Sequence, residues 1–155
     1  MKRTNYLDWD STFMGMAYLI AQRSKDPQTQ VGAVIVDPQN IVVGLGYNGF
    51  PRGISDEEWS WGKPHKYDAV VHAEANAIMN SNQASLKDCR LYVGFSTCNA
   101  CAKLVIQAGI KEVIYCSLKH YHDHDMVTAR TLYDMAGVTY RRFVPETLIT
   151  LEFDE

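Results

Sequence analysis

Three features of this 155-residue sequence predict an α/β fold, a three-layer α/β/α sandwich around a five-stranded mixed sheet. Short apolar runs rich in β-branched residues alternate with helical stretches, the pattern of parallel strands joined by right-handed crossovers. One pair of runs, 31–36 and 41–47, is separated only by Asp37-Pro38-Gln39-Asn40, a turn composition, so an antiparallel hairpin is expected in the same sheet. The length and an apolar fraction of 46% suffice for one buried core, so residues 1–155 are expected to form a single domain without disulfide staples.

The elements follow in order. Asp8 or Asp10 can cap a first helix reaching about Ser24, with Phe13, Ala17, Ile20 and Ala21 on a stripe that Met14, Tyr18 and Leu19 widen. Asp26-Pro27 ends it, because the residue before proline avoids the α region. Run 31–36 reads as a buried strand and 41–47 as its hairpin partner. Segment 48–69 has two prolines and three glycines, and reads as a long irregular loop that leads into His72, a position that favours function. Trp59 and Trp61 within it either cover the site or a subunit contact, or pin the loop to the core.

Downstream, a second helix starts near His72 and ends at Asn80-Ser81-Asn82. Run 91–95 is the third strand, and 99–108 is a helix closed by Gly109. Run 113–116 is the fourth strand. A polar segment, 119–125, precedes a helix over about 126–135, which Gly137 closes, and 138–143 is the fifth strand.

Bulk charge narrows the function. A net charge of −3, with no Lys/Arg-rich run or basic tail, disfavours a nucleic-acid polymer as substrate, whereas a free nucleotide needs only one or two local cations. No segment is long and apolar enough to cross a bilayer, and the first residues lack the apolar run of a signal peptide. The four cysteines, Cys89, Cys98, Cys101 and Cys116, include a Cys-x-x-Cys pair that suits metal binding in a reducing compartment better than a disulfide framework. A cytoplasmic location is expected.

The chemistry concentrates in His72-Ala73-Glu74 and Cys98-Asn99-Ala100-Cys101. One imidazole and two thiolates bind Zn²⁺ while leaving a fourth tetrahedral position open, the mark of a catalytic site. Cys98 and Cys101 share a helix face, since positions three apart do. His72 and Glu74, two apart, can face one point only if His72 sits at the non-helical edge of its helix. Two helix N-termini then aim at one ion and favour ionised thiolates. Zinc in such a site lowers the pKa of water to about 7, and Glu74 is the base and acid that shuttles its proton. The backbone N–H groups of Ala73 and Cys98 and the carbonyl of Ser96 are placed to polarise the substrate and receive its amine. His-x-Glu followed by Cys-x-x-Cys is the signature of zinc deaminases acting on cytosine or adenine. The run His120-Tyr121-His122-Asp123-His124-Asp125 is a weaker, second metal candidate, disfavoured because alternating histidines in polar loops are usually solvated.

From Tyr6 to Phe143 the sequence resembles the deoxycytidylate deaminases of the cytidine deaminase superfamily. The resemblance rests on Ser24-Lys25-Asp26-Pro27, Gly46-Tyr47-Asn48-Gly49, His72-Ala73-Glu74 with Asn76-Ala77-Ile78, Cys98 and Cys101, Ala108-Gly109-Ile110 and Met135-Ala136-Gly137-Val138. It implies a cytidine deaminase-like fold and hydrolysis of dCMP to dUMP and ammonia. Carried over by position, His72, Cys98 and Cys101 are zinc ligands and Glu74 the proton shuttle. Asn48 would contact the sugar hydroxyl, with Ser24, Lys25 and Tyr121 around the deoxyribose and phosphate. The same likeness implies a homo-oligomer, a hexamer, activated by dCTP with Mg²⁺ and inhibited by dTTP, with a regulatory site at Gly46, Tyr47 and Gly49. One departure touches the site. Thr97 stands where the family usually has proline, which is expected either to loosen the cysteine turn or to alter how the base amine is received.

Two other functions fit the same motifs. The chain could act on another substrate (dCTP, free cytidine, or a base in tRNA or single-stranded DNA), or serve as a zinc-stabilised nucleotide-binding module. Loss of turnover with zinc and fold retained in a Glu74 variant separates an enzyme from a binding module.

Overall fold

The computed structural model describes residues 1–154. The elements run α1 (Trp9–Ala21), β1 (Gly32–Val36), β2 (Val42–Tyr47), α2 (Lys66–Ala69), α3 (Ala73–Met79), β3 (Arg90–Phe95), α4 (Asn99–Gln107), β4 (Glu112–Ser117), α5 (His124–Ala136) and β5 (Thr139–Arg142). The five strands form one sheet in the order β2-β1-β3-β4-β5. β1 is antiparallel to both β2 and β3, whereas β3, β4 and β5 run parallel, so the sheet is mixed as its sequence predicts.

Helices cover both faces. Phe13, Met14 and Ala17 of α1 pack on Val34, Val36, Tyr92 and Ile114. On the other face Ala73 and Ala77 of α3, Ala102 and Val105 of α4, and Ala129 and Tyr133 of α5 pack on Ala33, Ile35, Leu91, Val93 and Val113. Every residue of β1 is buried, which explains an unbroken apolar run where a half-exposed strand would alternate. Each fully buried Val or Ile here contributes roughly 1.5–3 kcal/mol relative to an exposed one.

The junctions obey local chemistry. An oxygen of Asp8 accepts the Ser11 N–H at 2.7 Å and caps α1. In the hairpin turn the Asp37 carboxylate accepts the N–H groups of Gln39 and Ile41, both at 2.9 Å, while Asn40 adopts the left-handed φ of 63°. Gly109 and Gly137 take positive φ just past α4 and α5, as their placement in the sequence implies. Gly44 and Gly46 serve a different end. A Cβ on either would overlap the α3 backbone, at Ala77 for Gly44 and at Ala73 and Ala77 for Gly46, so bare β2 backbone lets α3 lie directly on the sheet.

Three boundaries differ from expectation. Helix α1 stops at Ala21, because residues 22–24 turn with bonds to the carbonyls three residues back. Helix α5 begins at His124, two residues earlier than read, with Asp123 as its N-cap residue. The long irregular segment contains the four-residue α2, too short to show a period; Lys66 N–H bonds the Gly62 carbonyl and Tyr67 N–H that of Pro64. The two tryptophans staple this segment. The Trp59 indole donates to the His65 carbonyl at 2.8 Å, and that of Trp61 to the Asp56 carbonyl at 3.0 Å while its ring stacks on Phe50. No helix among the described residues is long and apolar enough to cross a membrane.

Candidate active site

The two motifs meet where strand or loop gives way to helix. His72 is the N-cap residue of α3, with extended backbone (φ −72°, ψ 156°), and so lies at the non-helical edge the spacing requires. Cys98 is the N-cap of α4 in the same conformation (φ −79°, ψ 167°), its sulfur accepting the Cys101 N–H at 3.5 Å. Two backbone bonds between Gly49 and Val71, 3.1 and 2.8 Å, hold the residue before His72 against the end of β2.

His72 Nδ1 lies 3.4 Å from Cys98 Sγ and 3.5 Å from Cys101 Sγ. With Zn–N near 2.0–2.1 Å and Zn–S near 2.3 Å, a tetrahedral centre has an N···S edge of about 3.5 Å, so the donors already stand at the spacing of a zinc shell. Among the described residues these three are the one group of His, Cys, Asp or Glu with donor atoms all within 4.8 Å of one another. All four cysteines are free thiols.

Electrostatics inside the trio favour ionisation at one sulfur. Hydrogen bonding from Cys101, and then from His72, pulls the Cys98 thiol down to about 4 against its burial, which alone would raise it. The partner thiol moves up, because Cys98 already carries the negative charge and because of burial and the nearby Glu74. The hydrogen bond to Cys98 holds the His72 imidazole up at about 9, with burial opposing. Glu74, in the first turn of α3, is 5% exposed. Burial pushes its carboxyl up, partly offset by the His72 charge. A carboxyl shifted in this direction holds its proton more readily than an exposed one and is suited to pass it on.

The other expected contacts distribute unevenly. Ala73 is buried at the first helical position of α3, beside His72. Asn48 is buried next to the Gly49–Val71 bridge, and Ser24 Oγ donates to its carbonyl at 2.9 Å. Lys25 is exposed and ion-paired with Asp56. Tyr121 lies in the loop after β4, stacked on Tyr115 at 5.7 Å, with the Arg130 guanidinium 3.7 Å from its ring centre. Gly46 is under α3, whereas Tyr47 is exposed and its carbonyl accepts from the Asn76 amide at 2.7 Å.

Two further stretches singled out in the sequence take definite places. The 120–125 run gathers no second metal centre among the described residues: His120 turns to a left-handed φ of 66° and pairs with Asp123 at 2.9 Å, while His124 and Asp125 leave along α5. The Thr97 hydroxyl is 2.7 Å from the Tyr133 hydroxyl, which ties the end of β3 to α5. That contact, and a buried Lys66–Asp26 ion pair, were not legible in the sequence; their partners lie 36 and 40 residues apart with no motif linking them. A cleft of about 410 Å³ around Asp10, Arg90 and Arg141 opens at the N-terminal ends of β3 and β4, and none of these donors lines it.

The family described as the cytidine and deoxycytidylate deaminase zinc-binding region matches residues 7–117, a span that contains the whole trio and Glu74. The chain belongs to this family. It is similar to the deoxycytidylate deaminases of Pongo abelii, at 54% identity over 99% of this chain and 90% of that one, and of Homo sapiens, at 53% over the same shares. A probable deoxycytidylate deaminase of Drosophila melanogaster is 48% identical over 99% of this chain and 81% of its own. Among solved structures, the dCMP deaminase of the cyanophage S-TIM5 in apo form superposes with a TM-score of 0.69 at 27% identity, covering 86% of this chain and 96% of that one. The fold is thus that of the cytidine deaminases, and zinc is the metal that the family and the donor set both call for.

Proposed function

We propose that this protein hydrolyses dCMP to dUMP and ammonia, with His72, Cys98 and Cys101 holding a zinc ion and Glu74 moving the protons. The observation that carries this reading is the convergence of one imidazole and two thiols beside a buried carboxyl, in a chain 54% identical to a deoxycytidylate deaminase over nearly its full length. Bound by these donors, zinc supplies a Lewis acid with one open position that acidifies water.

The chain's own groups do the rest. Thiolates at Cys98 and Cys101 balance the dication, and the partial positive charge of two helix N-termini supports them. Glu74 takes one proton from the attacking water and delivers it to the ring nitrogen, then takes the second water proton from the new C4 hydroxyl and gives it to the amine, so that the C4–N bond breaks and ammonia leaves; its burial keeps bulk water from short-circuiting these transfers. The N–H groups of Ala73 and Cys98 hydrogen-bond the base, and the Ser96 carbonyl receives its amine. Asn48 contacts the sugar hydroxyl, with Ser24, Lys25 and Tyr121 around deoxyribose and phosphate.

The same proposal includes one catalytic domain over the whole chain, a cytoplasmic location and a homohexamer. Regulation belongs to it too: dCTP with Mg²⁺ activates and dTTP inhibits at the turn of Gly46, Tyr47 and Gly49. Since Gly46 is covered by α3, the exposed Tyr47 and the half-buried Gly49 would make the contacts there.

The test is ammonia release from dCMP, dCTP, cytidine and deoxycytidine in parallel, with and without added dCTP–Mg²⁺. Turnover of dCMP, accelerated by dCTP, is the expected result. Equal use of dCTP would show a broader phosphate pocket. Silence on all four substrates by zinc-loaded protein would refute the reading.

A further inference from the structure

The proposed chemistry leaves unused a buried ion pair at the edge of the site. Lys66 of α2 is 3% exposed and Asp26, between α1 and β1, is 2% exposed. The Lys66 ammonium lies 2.9 Å from one Asp26 oxygen and 3.1 Å from the other, and reaches the Gln28 side-chain carbonyl at 3.3 Å. Asp26 also accepts the N–H groups of Gln28 at 2.9 Å and Thr29 at 3.2 Å. Withdrawing two charges from water is unfavourable enough that apolar replacements often match a buried pair in stability, so a role in fixing geometry is the stronger explanation for this one.

The geometry in question is that of Asn48. Its amide nitrogen donates to Asp26 at 3.4 Å and to the Thr29 carbonyl at 2.9 Å, and its amide oxygen accepts the Val31 N–H at 2.8 Å. One residue further, Gly49 exchanges backbone bonds with Val71, the neighbour of His72. The pair therefore joins three segments: the loop entering β1, the end of β2, and the stretch from α2 to His72.

We propose that Lys66 is a positioning residue for nucleotide binding: by neutralising Asp26 it holds the Asn48 amide in one orientation. This rests on the reading of Asn48 as a sugar contact. Without the ammonium, the Asp26 carboxylate is left buried and uncompensated, and it relaxes toward water with Asn48 attached.

Steady-state kinetics on dCMP with K66M test the idea, alongside zinc content and circular dichroism. The expected outcome is one zinc per chain, native helix content, a rise in KM of roughly tenfold or more, and a much smaller change in kcat. Should K66M fail to fold, D26N/K66M removes both charges and leaves none unpaired; its amide has one oxygen where the Gln28 and Thr29 N–H groups and the Asn48 nitrogen now use two, so one of these bonds is lost and KM again rises. A wild-type KM in either folded variant, or a loss confined to kcat, overturns the proposal. A double variant that does not fold overturns it too, since the pair is then a requirement of the fold alone. Failure of the wild-type protein to deaminate dCMP would instead refute the parent reading.

Discussion

The Thr97–Tyr133 contact gives a sharp test of how the cysteine turn is held. Both residues are almost fully buried, at 2% and 1% exposure, and their hydroxyls are 2.7 Å apart. Burial raises the Tyr133 phenol well above its ordinary range, so it stays a neutral hydroxyl at any pH at which the protein would be assayed. The variant T97V keeps shape but leaves the Tyr133 hydroxyl without its partner, and Y133F does the reverse. Each strands one buried polar group, which costs about 1–3 kcal/mol. For a chain of this size, 1 kcal/mol moves Tm by roughly 2–4 °C, so each single variant should melt about 2–12 °C lower. The double variant strands nothing. Its ΔΔG should fall short of the summed singles by about 1 kcal/mol or more, in urea unfolding at fixed protein concentration with zinc saturating. Losses that add within about 0.5 kcal/mol would show that the two hydroxyls do not depend on each other, and the tie between β3 and α5 would lose its basis.

Other perturbations have defined outcomes. E74Q should lower kcat for dCMP by about 10²–10⁴-fold while binding one zinc per chain, measured by ammonia release and metal analysis; unchanged turnover would remove Glu74 from the proton path. G46A should destabilise by about 1–3 kcal/mol or more in urea unfolding, because its methyl meets the α3 backbone; a neutral result would mean α3 can shift freely on β2. Stripping the metal with a chelator should abolish turnover and lower Tm, and readdition of Zn²⁺ should restore both, the stabilisation growing with free zinc. Hydrogen bonding from Arg141 holds the Asp10 carboxyl below its ordinary 3.8, so this group's stabilisation is fully present above that pH and is lost as pH falls through the lower folded value. D10N should therefore flatten the acid limb of a Tm-against-pH curve; an unchanged limb would contradict the sign.

The sequence by itself determined the parts whose physics is local. Strand alternation, the Asp37–Asn40 turn, the glycine stops after α4 and α5 and the cap at Asp8 depend on neighbours a few residues away, and each appears where its pattern places it. The metal donors were legible for the same reason: Cys98 and Cys101 share a turn, and His72 with Glu74 straddles a helix start, so residue type and spacing already constrain their geometry. The limits of that reading are equally physical. Helix α2 has too few residues to show a period, and the tightening of the chain at residues 22–24 that ends α1 carries no residue pattern of its own. Glycines at 44 and 46 look like loose strand ends until α3 is laid on them.

Only the tertiary structure decided what fills the space between elements. It placed a lysine from an irregular loop beside Asp26, gave Thr97 a partner on α5, and scattered the 120–125 histidines. These outcomes turn on contacts between residues tens of positions apart, for which charge and hydropathy along the chain carry no signal. A buried ion pair and a buried hydroxyl pair are stable only because the fold withdraws both partners from water together, and that condition exists nowhere in the chain until the sheet and its helices have packed.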